Sequence, residues 1–524
     1  MHVIIRRFFS LLLLLPWVHV VAQAPTAPED LRFVRQSVRR FVFDEALRIP
    51  LASLNPAEVV GMASMYPVTH HLADSATVTI TDEALAVRSP TETLTTVWFG
   101  GFNPFATYTL DLAACTGEGE LGFRFTGGDA GEAYAVTVRY RDDVITDVRQ
   151  TVSRDAQVVV EESISTREGS GIPVAGKLVL QLFGSGLTLY QQADGLPIPI
   201  GQSDFSDRID LRERQYLQHF HSELILHLRG GAVRIAGVRS ALSSGVGLAD
   251  IRAMTYEDGS PLLDRGRLWY TMSIRGRALP HHLQGVFSLE PSTSDFKFEG
   301  VILFDRRDGL LRNEIASHIF YDRREGRWRG LTTGFSAYAR ADEEKQLLTV
   351  ESENDPRFGF SVMRAAPFGM VGDIEDPHIL FDEAAGKWRI LTCENHDGYR
   401  AVLLESDTWN GGYRRIAGPV NHNSTGTSIQ RIGGTRYCFS GSSERELFVY
   451  TYPELAEAGT LHLDLPPWDA GSGTRVWPNV VELPDGYPFR YVALMMDRYD
   501  YPGIDGPHWT YGALYLYHGY PKSE

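Results

Sequence analysis

The sequence predicts an all-β chain: a β-sandwich of jelly-roll type, then a five-bladed β-propeller. Three observations carry that prediction. Apolar runs are short, β-branched or aromatic, and bounded by Gly, Asp and Pro; helical periodicity is scarce; and from about residue 245 one hairpin pattern recurs.

Residues 1–22 read as a secretory signal peptide. Arg6 and Arg7 precede an apolar run over 8–22, a polar stretch over 23–30 follows, and Val20 and Ala22 are the small residues of a cleavage site after Ala22. The run is shorter than the roughly 20 residues of a membrane span. With no second long apolar run, the expected mature chain is secreted or periplasmic, without a membrane span.

The best helix candidates are 31–46 and 207–220. Otherwise residues 31–240 alternate in strand fashion, as in 121–125, 134–140 and 177–182, and read as the sandwich. The boundary is expected in the Ser/Gly-rich stretch 240–247.

Over 245–520 a β-run, a Gly-centred turn and an aromatic β-run repeat. The pairs are 251–259 with 267–272, 317–322 with 326–332, 377–382 with 386–392, 427–432 with 436–440, and 478–484 with 489–496. The second and third match almost residue for residue: Tyr321-Asp322, Gly326 and Trp328-Arg329 against Phe381-Asp382, Gly386 and Trp388-Arg389. Two further β-runs generally follow each hairpin. Four strands per repeat are blades, whose radial packing leaves few exposed strand edges. Trp269, Trp328 and Trp388 recur at one blade position and are expected to pack between sheets.

The chain has 524 residues, with 50 Lys+Arg against 66 Asp+Glu and a net charge of −16, which argues against general nucleic-acid binding. Three cysteines, none in a C-x-x-C spacing, exclude a disulfide scaffold, leave room for one bridge and argue against a zinc cluster. Nucleophile-elbow, zincin, Walker and dinucleotide signatures are absent.

In a propeller the starts of the innermost strands converge on one funnel. Here they carry Asp250 and Arg252, Glu314 and His318, Glu375, Asp376 and His378, Thr427 and Gln430, then Arg475, Trp477 and Asn479. Paired carboxylates are what glycoside hydrolysis needs, one as acid and one as base or nucleophile. Trp477 offers a face for a sugar ring, and Arg252, Arg312 and Arg475 offer clamps for a carboxylate or sulfate.

Asp250 opening the first blade, and Glu375-Asp376-Pro377-His378 opening the third with Gly386-Lys387-Trp388 behind it, resemble five-bladed-propeller glycoside hydrolases of the arabinanase, xylosidase and invertase type. The resemblance covers about 245–520. It implies that Asp250 is the base or nucleophile and that Asp376 tunes pKa and orients the sugar. Such families place the Asp-Pro pair in blade two and a Glu acid in blade three, whereas blade two here reads Ile315-Ala316-Ser317-His318. The acid therefore falls to Glu375, Glu314 or Glu394, in that order.

The expected function is an exported glycoside hydrolase acting on a polysaccharide-derived glycan. Arg252, His318, His378, Arg475, Trp477 and Asn479 are its substrate-binding set. No cofactor is expected, although the resemblance leaves room for a central divalent cation. Two alternatives stand beside it: a polysaccharide lyase using His318 or His378 with a Tyr on a uronate, and a noncatalytic glycan-binding protein.

Overall fold

The computed structural model describes residues 26–56, 71–73, 75–127, 131–444, 446–467, 477–505 and 509–522. The signal-peptide expectation and Arg475 lie outside them. The described chain is nearly all strand, with one six-residue α-helix, Arg214–His219, inside the 207–220 candidate.

Residues 31–46 do not form the expected helix. Leu31–Arg39 is a strand paired antiparallel with Leu514–Pro521, from Leu31 opposite Pro521 to Arg39 opposite Leu514. Phe33, Val34 and Val38 suit a pleated edge, and a ready ladder partner outweighs weak local helical periodicity.

A twelve-stranded sheet fills the region up to Ser243. Its spine is three long strands, Leu85–Gly101, Thr107–Gly127 and Phe220–Ser243. Apolar side chains alternate inward and form one core that includes Tyr108, Phe123, Phe125, Leu180 and Leu226. The long strands shift register around Gly117 and Gly231, both in the left-handed region. A Cβ at Gly117 would sit 2.2 Å from the Gly230 carbonyl oxygen, so only glycine fits that crossing.

Beyond it, antiparallel strands come in fours. Leu248–Ala253, Arg267–Arg275, His282–Glu290 and Asp295–Asp305 pair in sequence, as do Ile315–Asp322, Arg327–Thr333, Gln346–Ser352 and Gly359–Val371. These two groups join through a parallel pairing of Asp295–Asp305 with Gly359–Val371. Ile374–Asp382, Lys387–Asn395, Tyr399–Ser406 and Arg414–Ala417 follow, then Thr425–Ile432, Thr435–Gly441, Leu447–Thr451 and Glu457–Thr460. Asn479–Glu482, Tyr491–Met496 and Leu514–Pro521 are completed by Leu31–Arg39, so chain preceding the large sheet supplies the outer strand of the last one.

The repeated hairpins superpose in register: Tyr321 faces Trp328 and Phe381 faces Trp388. Trp269, Trp328 and Trp388 are buried, and Trp269 and Trp328 share a core with Met254, Ile302 and Val350. None of Cys115, Cys393 and Cys438 forms a disulfide.

Candidate active site

The leading strand of each of the first four groups carries the same irregularity. Pairing with the second strand skips between Ala249 and Arg252, Ile315 and His318, Glu375 and His378, and Thr425 and Ser428. Within each skip one residue is left-handed: Asp250 (φ 49°), Ala316 (φ 56°), Asp376 (φ 60°) and Gly426 (φ 60°). Asp tolerates that conformation better than most residues because its short polar side chain bonds locally, and Gly has no Cβ to clash. The bulge interrupts pairing and re-aims one side chain per strand. Two of the four positions hold a carboxylate.

Both carboxyls act electrostatically on Arg252, a fully buried guanidinium. Arg252 donates to the Asp376 carbonyl (2.8 Å) and to the Thr427 carbonyl, tying the first, third and fourth leading strands together. Asp250 is ion-paired with Arg275 at 2.5 Å. The Asp376 carboxylate accepts from the Gly426 N–H at 2.8 Å. Burial, then the charge of Glu375, push the Asp376 carboxyl up to about 7; Asp250 adds to that rise and Arg252 opposes it.

Glu375 lies beside Asp376, and together with Cys393 they bring potential ligand atoms within 4.8 Å of one another. The Glu375 carboxylate pairs with Lys345 at 3.1 Å. Lys345 also meets Asp373, and donates to the Tyr399 hydroxyl at 2.8 Å. Those carboxylates hold the Lys345 ammonium above its ordinary value against the opposing effect of burial.

Other expected residues stand elsewhere or in other roles. Glu314 is buried and accepts from the Ser336 N–H (2.8 Å) and hydroxyl (2.6 Å), closing a loop. Glu394 pairs with Arg415 and, at 3.0 Å, with His396. Arg312 is held by Asp308 and Glu343, which leaves it no free edge for a substrate anion. Trp477 does not offer an open platform: it is buried, Arg252 lies 4.7 Å from its ring, and a Cβ on Gly426 would come within 2.6 Å of it.

His318 and Asn479 are bonded to protein groups in this arrangement, and His378 stacks on His318. The imidazoles of His318 and His378 stack at 3.9 Å, and His318 Nδ1 accepts from the Ile379 N–H at 3.1 Å while Nε2 faces the Thr255 hydroxyl at 3.2 Å. Burial lowers the pKa of both rings, so they stay neutral. Asn479 bonds the backbone of Ile251 and Ala253, linking the first and last leading strands. Both nitrogens of His378 lack a partner among the described residues, so that ring could engage a central cation.

Sequence reasoning missed Arg275, Lys345, Tyr399, Arg498 and Tyr511. Arg275 closes the strand Arg267–Arg275, and a charge at the buried end of that strand was the available signal. Tyr511 lies 4.8 Å from the Arg275 guanidinium and 4.0 Å from that of Arg498.

No protein-family model matches the chain, and a search of curated proteins gives no match. Among solved structures, "Crystal structure of GH43_1 enzyme from Xanthomonas citri" is similar at 12% identity and TM-score 0.34, over 48% of this chain and 82% of that one. "Structure of RS223-Beta-xylosidase" is similar at 12% identity and TM-score 0.36, over 52% and 92%. "Crystal structure of a thermostable family-43 glycoside hydrolase" is similar at 13% identity and TM-score 0.33, over 52% and 88%. At TM-scores this low none of these likenesses bears on the assignment of fold or chemistry.

Proposed function

We propose that the chain is an exported glycoside hydrolase, with the fours of strands after Gly247 forming a five-bladed propeller behind an N-terminal sandwich. One observation carries the reading: Asp250 and Asp376 occupy the same bulge in the first and third leading strands, and both act on Arg252. Two carboxyls at equivalent strand-start positions, one of them pushed toward its protonated form, suit the acid–base division that glycosidic cleavage requires.

Asp250, paired with Arg275, is the base or nucleophile. The proton is held by Asp376, which burial and the adjacent Glu375 charge push toward the protonated form. Asp376 is then the leading proton donor, with Glu375, ion-paired to Lys345, beside it. The lyase alternative loses His318, whose two nitrogens already face protein groups, and falls to His378 alone.

Asp250→Asn, assayed on a panel of plant and bacterial polysaccharides and their oligosaccharides, is expected to lower hydrolysis by about 100- to 10,000-fold. Hydrolysis at the wild-type rate would sink the assignment. Saturable glycan binding with no product from the wild type would leave a binding protein.

A further inference from the structure

Resting on that reading, we infer that the sugar at the catalytic pocket is anionic, its carboxylate or sulfate group received by Arg498 with Arg275 behind it. Arg275, ion-paired with Asp250, and Arg498 both lie against the Tyr511 ring, at 4.8 and 4.0 Å, while Arg252 bonds the backbone of Asp376. All three guanidiniums are buried: Arg252, Arg275 and Arg498 are 1%, 1% and 7% exposed. A buried cation normally has a counter-charge, because desolvation is costly unless the charge is paired.

Arg252 is occupied by two carbonyls, and Arg275 by Asp250. Arg498 is different. Its guanidinium makes no ion pair and no hydrogen bond among the described residues; its contact is the Tyr511 ring at 4.0 Å, and its Nε is buried without a partner. Nε and Nη1 of Arg275 are likewise buried and unpartnered. Tyr511 lies between the two, within the field of Asp250. Planar guanidiniums with unused N–H groups fit carboxylate or sulfate oxygens, and the ring fixes them in place. Tyr499, next in the chain to Arg498, and Trp509, two residues before Tyr511, are each 41% exposed.

The test is calorimetric binding, which does not depend on turnover. Uronic-acid oligosaccharides are compared with their carboxyl-reduced counterparts, and sulfated oligosaccharides with their desulfated ones. Wild-type protein is expected to bind one acidic member at least tenfold more tightly than its neutral partner, and the arm that responds names the anion. Arg498→Met is expected to abolish the preference and Arg498→Lys to retain part of it, with thermal unfolding used to select folded variants. Equal affinity within both pairs, absence of binding in both arms, or a preference intact in Arg498→Met would overturn the inference. Charge-selective binding without turnover of any bound glycan would instead overturn the hydrolase reading and leave this one standing.

Discussion

Asp376 lies under opposing influences whose balance sets its behaviour. Burial and the neighbouring Glu375 and Asp250 charges favour the protonated carboxyl, while Arg252 and the Gly426 N–H favour the carboxylate. The first group wins, so the folded protein holds a proton there that the unfolded chain releases near pH 4. Between that value and about 7 the native state binds more protons than the unfolded state. This residue's contribution therefore falls as pH rises through that window, by about 1.4 kcal/mol per pH unit, and is fully lost above it. Asp376→Asn removes the slope while keeping an acceptor for Gly426. Denaturant titrations from pH 5 to pH 8 should show the variant gaining on the wild type; a constant difference across the range would contradict the buried protonated carboxyl. At the same scale, Trp477 shows why type alone misleads. An aromatic beside a polar funnel suggests a sugar platform, but here Arg252 takes its face and Gly426 leaves room only for the ring itself.

The repeated bulge is the element that turns strand ends into a site. Its sequence trace was partly legible: hairpins 317–332 and 377–392 align by eye because turn, aromatic and Arg positions are local. The bulge itself was not, since it is defined by register against a neighbouring strand and occupied by four different pairs of flanking residues. Ala316 tests it. An L-residue at φ 56° carries about 1–2 kcal/mol of strain, and a β-branched residue there carries more. Ala316→Gly is expected to be nearly neutral, because relief of strain is offset by a lost methyl and added chain entropy. Ala316→Val should cost about 2–4 kcal/mol in equilibrium unfolding. Equal tolerance of both substitutions would mean that the left-handed conformation is not held.

Across the whole molecule, the N-terminal strand and the large sheet both reach the regions beyond them. Leu31 packs with Ile432, Phe439, Val480, Tyr491 and Tyr517, and so joins the last two groups of strands. Leu31→Ala should lower stability by about 2–5 kcal/mol, measured by thermal and chemical unfolding; an effect below about 0.5 kcal/mol would show that the strand is not part of the cooperative core. The large sheet meets the candidate site from behind: Gln181 donates to the Arg275 carbonyl at 3.4 Å, and Asp204 approaches the buried ring of His281 at 3.2 Å. Arg275, which holds Asp250, is thus braced by a residue of the twelve-stranded sheet.

The sequence by itself determined the all-β character, the recurrence of hairpins after residue 245 and the presence of Asp250 and Asp376 at strand starts, because turn chemistry and two-residue alternation are local properties. Only the tertiary structure decided that Leu31–Arg39 completes the last sheet, that Arg252 joins the two acids, and that Arg498 stands without a counter-charge among the described residues. Ladder partners and buried charge balance depend on which distant segments meet, and no spacing along the chain encodes that directly.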